Sequence, residues 1–244
     1  MLVFCSAVEA NTLARSIVVT GHPNYPPFSW MEGDTMRGAS VDLVTTIFAE
    51  KNIAVEAKPF GPWVRVQRAA QNSEFDLLLG VLKTKDREQY LIFLDEFYAI
   101  DPIAIFIHQQ TYDILELNDL HSKRGVANRG ESFGHDFDMF VNAKLQLARV
   151  TEVDQAFLML VRKRIDYVVH GYYPSLVMMQ KLKIDNVKSL RSFVASPEAY
   201  QAFTSKSEYK ALAPWLSARV KHYREQGVVD KLIAENLKLW RKTH

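Results

Sequence analysis

The sequence predicts an α/β protein of two lobes, each a mostly parallel sheet flanked by helices, with a ligand cleft between them. Three observations lead there. Short β-branched runs alternate with amphipathic segments over the first hundred residues, giving β-α-β-α-β, the order that parallel strands with crossover helices require. The alternation starts afresh after "DPIAIFI" at residues 101–107. No repeat or low-complexity linker separates the halves, so crossing strands are expected to join the lobes.

Taken in order, "SIVVT" (16–20) is the first strand, and residues 40–51 form a helix with Val41, Val44, Ile47 and Phe48 on one face behind a Ser40 cap. "AVEAKPF" is the second strand and "PWVRVQRAAQ" a helix opened by Pro62. "FDLLLGV" is the third strand, its continuous apolar run matching burial on both faces. In the second half, residues 133–146 form a helix with Phe137, Phe140, Val141 and Leu145 aligned, and "QLARV" is a strand. Thr151 to Asp154 opens a helix carrying Val153, Phe157, Leu160 and Val161, and "IDYVV" is a further buried strand. From about residue 196 the chain adds an extended piece, "EAYQAF", and two helices near 207–225 and 228–240, with Gly227 as a C-cap between them.

A chain of 244 residues that is 48% apolar and 24% charged excludes disordered and collagen-like classes. A net charge of +2 from 30 basic and 28 acidic residues, with no run of five like charges, gives no sign of a nucleic-acid partner. No stretch approaches the roughly 18 consecutive apolar residues of a membrane span. Residues 1–10, "MLVFCSAVEA", are apolar and end in small residues, which suggests a truncated secretory signal; the alternative is the frayed end of a cytosolic chain. Cys5 is the only cysteine, and cleavage after Ala10 would leave none, as suits an oxidising compartment such as the periplasm.

In an open parallel sheet, ligands sit beyond the carboxyl ends of the strands, which brings the loops "HPNYPPFSW" and "LKTKDREQ" to one cleft. The first offers Tyr25, Phe28 and Trp30 on a loop restricted by three prolines. The second offers backbone amides after Gly80 and a fixed positive charge at Arg87. An aromatic wall beside an arginine fork is chemistry for a small carboxylate. The residues show no His-Glu-x-x-His, phosphate loop, nucleophile elbow or Cys near a His, so neither cofactor, metal nor catalysis is expected. "HDFD" at 135–138 reads as a solvated helix face, and Asp95 and Glu96, adjacent on extended chain, point to opposite sides and cannot act as a pair.

Pro27-Phe28, Gly38-Ala39 with Asp42-Leu43, Trp63, Asp76 to Gly80, and Thr84-x-x-Arg87 occur in an order and spacing that resembles the extracellular solute-binding proteins of family 3, the polar amino acid binding components of ABC importers. The resemblance is close over residues 16–106 and looser beyond. It implies the two-lobed periplasmic-binding-protein-like fold of type II with two hinge crossings, the first lobe formed by residues 11–106 plus 195–244 and the second by 107–194. It further implies that Arg87 grips a ligand carboxylate, that backbone groups at Gly80 and Leu82 add hydrogen bonds, and that Tyr25 or Phe28 and Trp63 sandwich the ligand. Phe28 is assigned mainly to the core. In the second lobe, "NRGESFG" (128–134) resembles the family's helix-opening turn, which makes Gly130, Glu131 and Ser132 contacts.

Two positions depart from the family pattern. Leu82 stands where a hydroxyl residue is usual, and Gly171, five residues after Asp166, stands where many members carry the Asp that binds the ligand's ammonium group. An ordinary α-amino acid is therefore not the expected ligand. His170, Tyr172 and Tyr173 lie beside the vacated position as replacement contacts, or as lobe packing, and Glu131 could itself meet an ammonium. The expected partners are a small molecule and an ABC permease or a membrane sensor, with the chain a monomer. An enzyme on the same fold, a dehydratase or lyase, is the remaining alternative.

Overall fold

The computed structural model describes residues 16–190 and 194–243. The segment expected to be a leader, with Cys5 and the cleavage point after Ala10, lies outside the described residues. Along the chain come β1 (Ser16–Thr20), a hairpin of β2 (Asn24–Tyr25), β3 (Ser29–Glu32) and β4 (Thr35–Arg37), then α1 (Ala39–Ala49), β5 (Ala54–Ala57), α2 (Trp63–Asn72), β6 (Leu77–Leu82), α3 (Lys85–Glu88), β7 (Leu91–Phe93) and β8 (Ala99–Ile100). After these follow β9 (Ile103–His108), β10 (Gly125–Asn128), α4 (His135–Lys144), β11 (Leu147–Val150), α5 (Val153–Val161), β12 (Tyr167–Gly171), α6 (Tyr172–Lys181) and β13 (Val187–Ser189). The chain ends in β14 (Glu198–Thr204), α7 (Ala213–Glu225) and α8 (Val228–Thr243).

Two sheets carry the fold. The first has the order β5-β1-β6-β14-β7, with β8 also pairing β14, and the second β11-β10-β12-β9-β13. Each has the parallel core that the alternation predicts, β5-β1-β6 and β11-β10-β12, extended by antiparallel strands. The antiparallel members β9 and β14 follow directly on the two crossings. Because β9 pairs β12 and β13, the chain leaves the first sheet at Asp101-Pro102, earlier than the boundary after residue 106 expected from the sequence. The crossings bond to each other: Asp101 N donates to Pro197 O (2.9 Å) and Ile103 N to Ala195 O (2.9 Å).

Both faces of each sheet are covered. In the first lobe α1, α7 and α8 pack Leu43, Ile47, Leu216 and Val229 on one face, and α2 packs Val66 and Ala70 on the other. In the second, α4 supplies Phe137 and Val141 to one face, and α5 and α6 supply Phe157, Leu160 and Met178 to the other. A small apolar seam of Trp30, Val177 and Trp240 links the opening hairpin, α6 and α8, and so touches both lobes away from the cleft.

The helix starts differ from expectation at two places. Ser40 is not the cap of α1: its hydroxyl donates to Tyr98 Oη (2.9 Å), and the cap residue is Gly38. The first amides of α1 are satisfied by the opening loop, with Ala39 N donating to Pro27 O (3.0 Å) and Ser40 N to Phe28 O (3.1 Å). Ser132 likewise caps no helix; α4 begins after Gly134.

Gly38 adopts φ +128°, ψ 169°, a region essentially reserved for glycine, and an added Cβ would lie 2.3 Å from Phe28 O. Gly38→Ala is expected to lower stability by about 3 kcal/mol, the upper end for such backbone strain, read as a drop in the urea midpoint without a change in slope.

Candidate functional site

The cleft is built from the carboxyl ends of the parallel strands and from the hinge. Past the end of β1, His22 and Tyr25 line a cavity of about 40 Å³ together with Trp63 at the start of α2, Gly80 and Leu82 of β6, and Arg87 of α3. Asp101 enters from the first crossing, and Glu131, Ser132 and Phe133 from the turn after β10. A wider chamber of about 650 Å³ adjoins it on the far side of Arg87, lined by Gln67, Gln71, Tyr90, Gly130, Arg149 and neighbours.

Arg87 is 5% exposed, and its guanidinium is held on three sides. Nη1 donates to Leu82 O (2.8 Å), while Nη2 donates to Gly130 O (3.2 Å) and to Gln67 Oε1 (3.4 Å). The Trp63 ring lies 5.6 Å from its centre, within cation-π range. Burial lowers its pKa from the ordinary arginine value, and the group stays a cation at any physiological pH. Trp63 Nε1 and Gln67 Nε2 also donate to Gly130 O, each at 3.2 Å, so one carbonyl of the second lobe gathers three donors from the first. Thr84 accepts from Arg87 N (3.3 Å) and thereby caps the short helix that carries the arginine.

The other end of the cavity is a cluster of buried ionisable groups. Tyr25 donates its hydroxyl to Asp101 Oδ2 (2.8 Å), and its ring meets His170 edge-on at 5.3 Å. Burial, only partly offset by that hydrogen bond and by His170, pushes the Asp101 carboxyl up to about 7. His170 Nδ1 lies 3.2 Å from Glu131 Oε2, and the His22 ring approaches the same carboxylate at 4.0 Å. Burial is the largest single effect on Glu131 and raises its pKa, but the charges of His170, His22 and Arg149 and the His170 hydrogen bond together hold it below the ordinary value. His22 accepts from Asn24 N at Nδ1 (3.1 Å), and burial depresses its pKa to about 4, so near neutrality it is an uncharged imidazole with its proton on Nε2.

Of the residues assigned from sequence, Tyr25, Trp63, Gly80, Leu82, Arg87, Glu131 and Ser132 meet at the inner cavity, and Gly130 faces the wider chamber. Gly171 and Tyr172 do not reach either wall. A Cβ on Gly171 would sit 2.0 Å from the Tyr25 hydroxyl, which covers that position. Tyr172 is turned by the first turn of α6 toward the second-lobe core around Phe157 and Met178. Phe28, 3% exposed, anchors the loop against Tyr98 and Tyr173. Trp30 packs on Trp240 and takes no part in the cavity. In "HDFD", Asp138 accepts from Phe133 N (2.8 Å) and from Ser132 Oγ. Among the described residues no group of three His, Cys, Asp or Glu side chains could hold a metal ion. Glu96 pairs with Lys221 and Arg224 away from the cleft. Sequence reasoning missed Asp101 and His22. The usable signals were an acid placed before Pro102 at the point of crossing, and a histidine one residue past Gly21 in the loop already singled out.

Two sheets, two bonded crossings and a charged cavity between the lobes define a two-lobed ligand-binding protein. The sequence matches the family of bacterial extracellular solute-binding proteins, family 3, over residues 17–238, and the chain belongs to that family. Solved structures of similar fold include the substrate-binding protein of an amino acid ABC transporter, at 20% identity over 91% of this chain and 99% of that one, with a TM-score of 0.74. An amino acid ABC transporter substrate-binding protein of Streptococcus pneumoniae bound to L-arginine is 19% identical over 92% and 95% of the two chains, with a TM-score of 0.76. A histidine kinase sensor domain similar to periplasmic binding proteins is 20% identical over 91% and 95%, with a TM-score of 0.77. Among the described residues no helix is long and apolar enough to cross a membrane.

The raised carboxyl of Asp101 makes stability depend on pH with a definite sign. Its folded pKa of about 7 lies above its ordinary 3.8, so its burial is easiest when protonated and costs progressively more as pH rises through that interval. His22 acts oppositely, removing stability as pH falls from 6.5 toward about 4, but is common to parent and variant. Asp101→Asn should therefore gain melting temperature relative to the parent between pH 4 and 7 and hold that gain above pH 8. A difference that does not vary with pH in thermal unfolding would contradict the assignment.

Proposed function

We propose that the protein works outside the cytoplasm, capturing a small carboxylate-bearing, amino-acid-like ligand in the interlobe cleft and presenting the closed form to an ABC-type importer. The observation that carries this is Arg87, a nearly fully buried guanidinium in the wall of a cavity between two hinged lobes. A desolvated guanidinium with a planar fork of donors is matched by a carboxylate, and a ligand that touches both lobes stabilises closure by its greater affinity for the closed state. Membership of family 3 and the likeness to amino acid transporter components support the reading. A second reading, a sensory binder that reports to a membrane kinase, is favoured by the likeness to the histidine kinase sensor domain. Both use the same capture step and differ only in what reads closure. A permease gene beside this one favours import, a kinase gene sensing.

A thermal-shift screen over amino acids, organic acids, amines and short sugars should give its hits among carboxylates, and purified protein should leave each hit chemically unchanged by NMR. Arg87→Ala should weaken the best hit by about 2–5 kcal/mol, the cost of breaking a buried charge pair, which is about thirtyfold or more in Kd. Unchanged affinity in calorimetry would place the carboxylate elsewhere.

A further inference from the structure

Two carboxylate oxygens in the cavity wall have no hydrogen-bond partner among the described residues, Asp101 Oδ1 and Glu131 Oε1. Neither side chain is at the surface: Asp101 is 5% exposed and the Glu131 side chain 8%. Buried polar atoms are nearly always satisfied, so an orphaned pair beside a cavity marks what the cavity is shaped to receive. The two are arranged alike. Tyr25 ties Asp101 by Oδ2 and leaves Oδ1; His170 ties Glu131 by Oε2 and leaves Oε1. They come from different parts of the chain, the hinge crossing and the second-lobe turn, yet line one cavity with Arg87. His22, the remaining titratable group on that wall, offers a neutral ring.

We propose that the cleft selects a short zwitterion, its carboxylate on Arg87 and its ammonium group on Asp101 Oδ1 and Glu131 Oε1. The proposal rests on the carboxylate reading of the preceding subsection and adds the second charge. The missing side chain at Gly171 is part of the design: Tyr25 occupies that space and from there fixes the Asp101 carboxyl. A cavity of about 40 Å³ limits the ligand to a few heavy atoms, since about 10–15 Å³ on this measure holds one water. Glycine and alanine fit that limit. An ammonium group on Asp101 favours the ionised carboxylate, so capture below neutral pH expels a proton from that group.

The test is calorimetry with glycine and alanine against acetate and propionate, which lack the amine, and ethylamine, which lacks the acid. The two zwitterions should bind at least thirtyfold more tightly than their deaminated counterparts and than ethylamine. Asp101→Asn and Glu131→Gln should each erase most of that preference while leaving propionate affinity within about threefold, and Arg87→Ala should abolish binding of both acids. At pH 6, the heat of alanine binding should vary with the ionisation enthalpy of the buffer, reporting proton release, and Asp101→Asn should remove that variation. Because Asn retains an acceptor for Tyr25, the variant should fold, and Glu131→Gln provides a second reading. Equal affinity for alanine and propionate overturns the zwitterion proposal and leaves the carboxylate site standing. Tight binding of longer acids alone, with none of the short zwitterions bound, also overturns it. Failure of every carboxylate, short or long, overturns the reading beneath it.

Discussion

The cleft is organised by the need to keep a buried guanidinium satisfied. A cation taken out of water is tolerated only with hydrogen-bond partners on all sides, and α3 delivers Arg87 to a place where its own lobe supplies only Leu82 O and Gln67. The remaining acceptor, Gly130 O, has to come from the other lobe. That approach is close enough that an added Cβ on Gly130 would lie 2.4 Å from Gln67 Nε2, and Gly130 sits at φ +79°, so glycine is required there on two counts. Bringing the turn to Arg87 also carries Glu131 and Phe133 over the cavity and seals His22 beneath them.

Much of this was legible in the sequence, and what was not has identifiable physical reasons. Periodicity locates β1, β6, β10, β12 and the helices between them, because apolar spacing is local. It does not reveal that β9 and β14 join their sheets antiparallel, since that pairing depends on partners far along the chain. Arg87, Trp63 and Tyr25 were legible because they lie just past strands whose carboxyl ends face the cleft. Asp101 was not, because its burial is produced by the two crossings bonding to each other, an arrangement with no local pattern. Tyr172 was misplaced because one residue of helical phase separates it from Tyr173, which does face the first-lobe core. Ser40 looked like a cap because its residue type favours one, whereas the loop carbonyls of Pro27 and Phe28 had already met the need.

The opening loop, dense in rings, turns out to divide them among three tasks. Tyr25 stands in the cavity wall, Phe28 fixes the loop to the first-lobe core, and Trp30 runs to the seam with Val177 and Trp240. A single short segment thus reaches the ligand space, the core and the contact between lobes. Displacement of its tip by a ligand is resisted at two buried rings, so motion has to be taken up at the crossings around Asp101-Pro102.

The three donors on Gly130 O hold a further implication. A carbonyl oxygen has two lone pairs, yet Trp63, Gln67 and Arg87 all converge on this one. The acceptor is oversubscribed by one, and the surplus partner is the only cation of the three. If Arg87 turns its Nη2 toward another oxygen, the carbonyl remains fully saturated by the indole and the amide. The joint between the lobes therefore contains a spare connection, free to be reassigned while the other two keep the halves together.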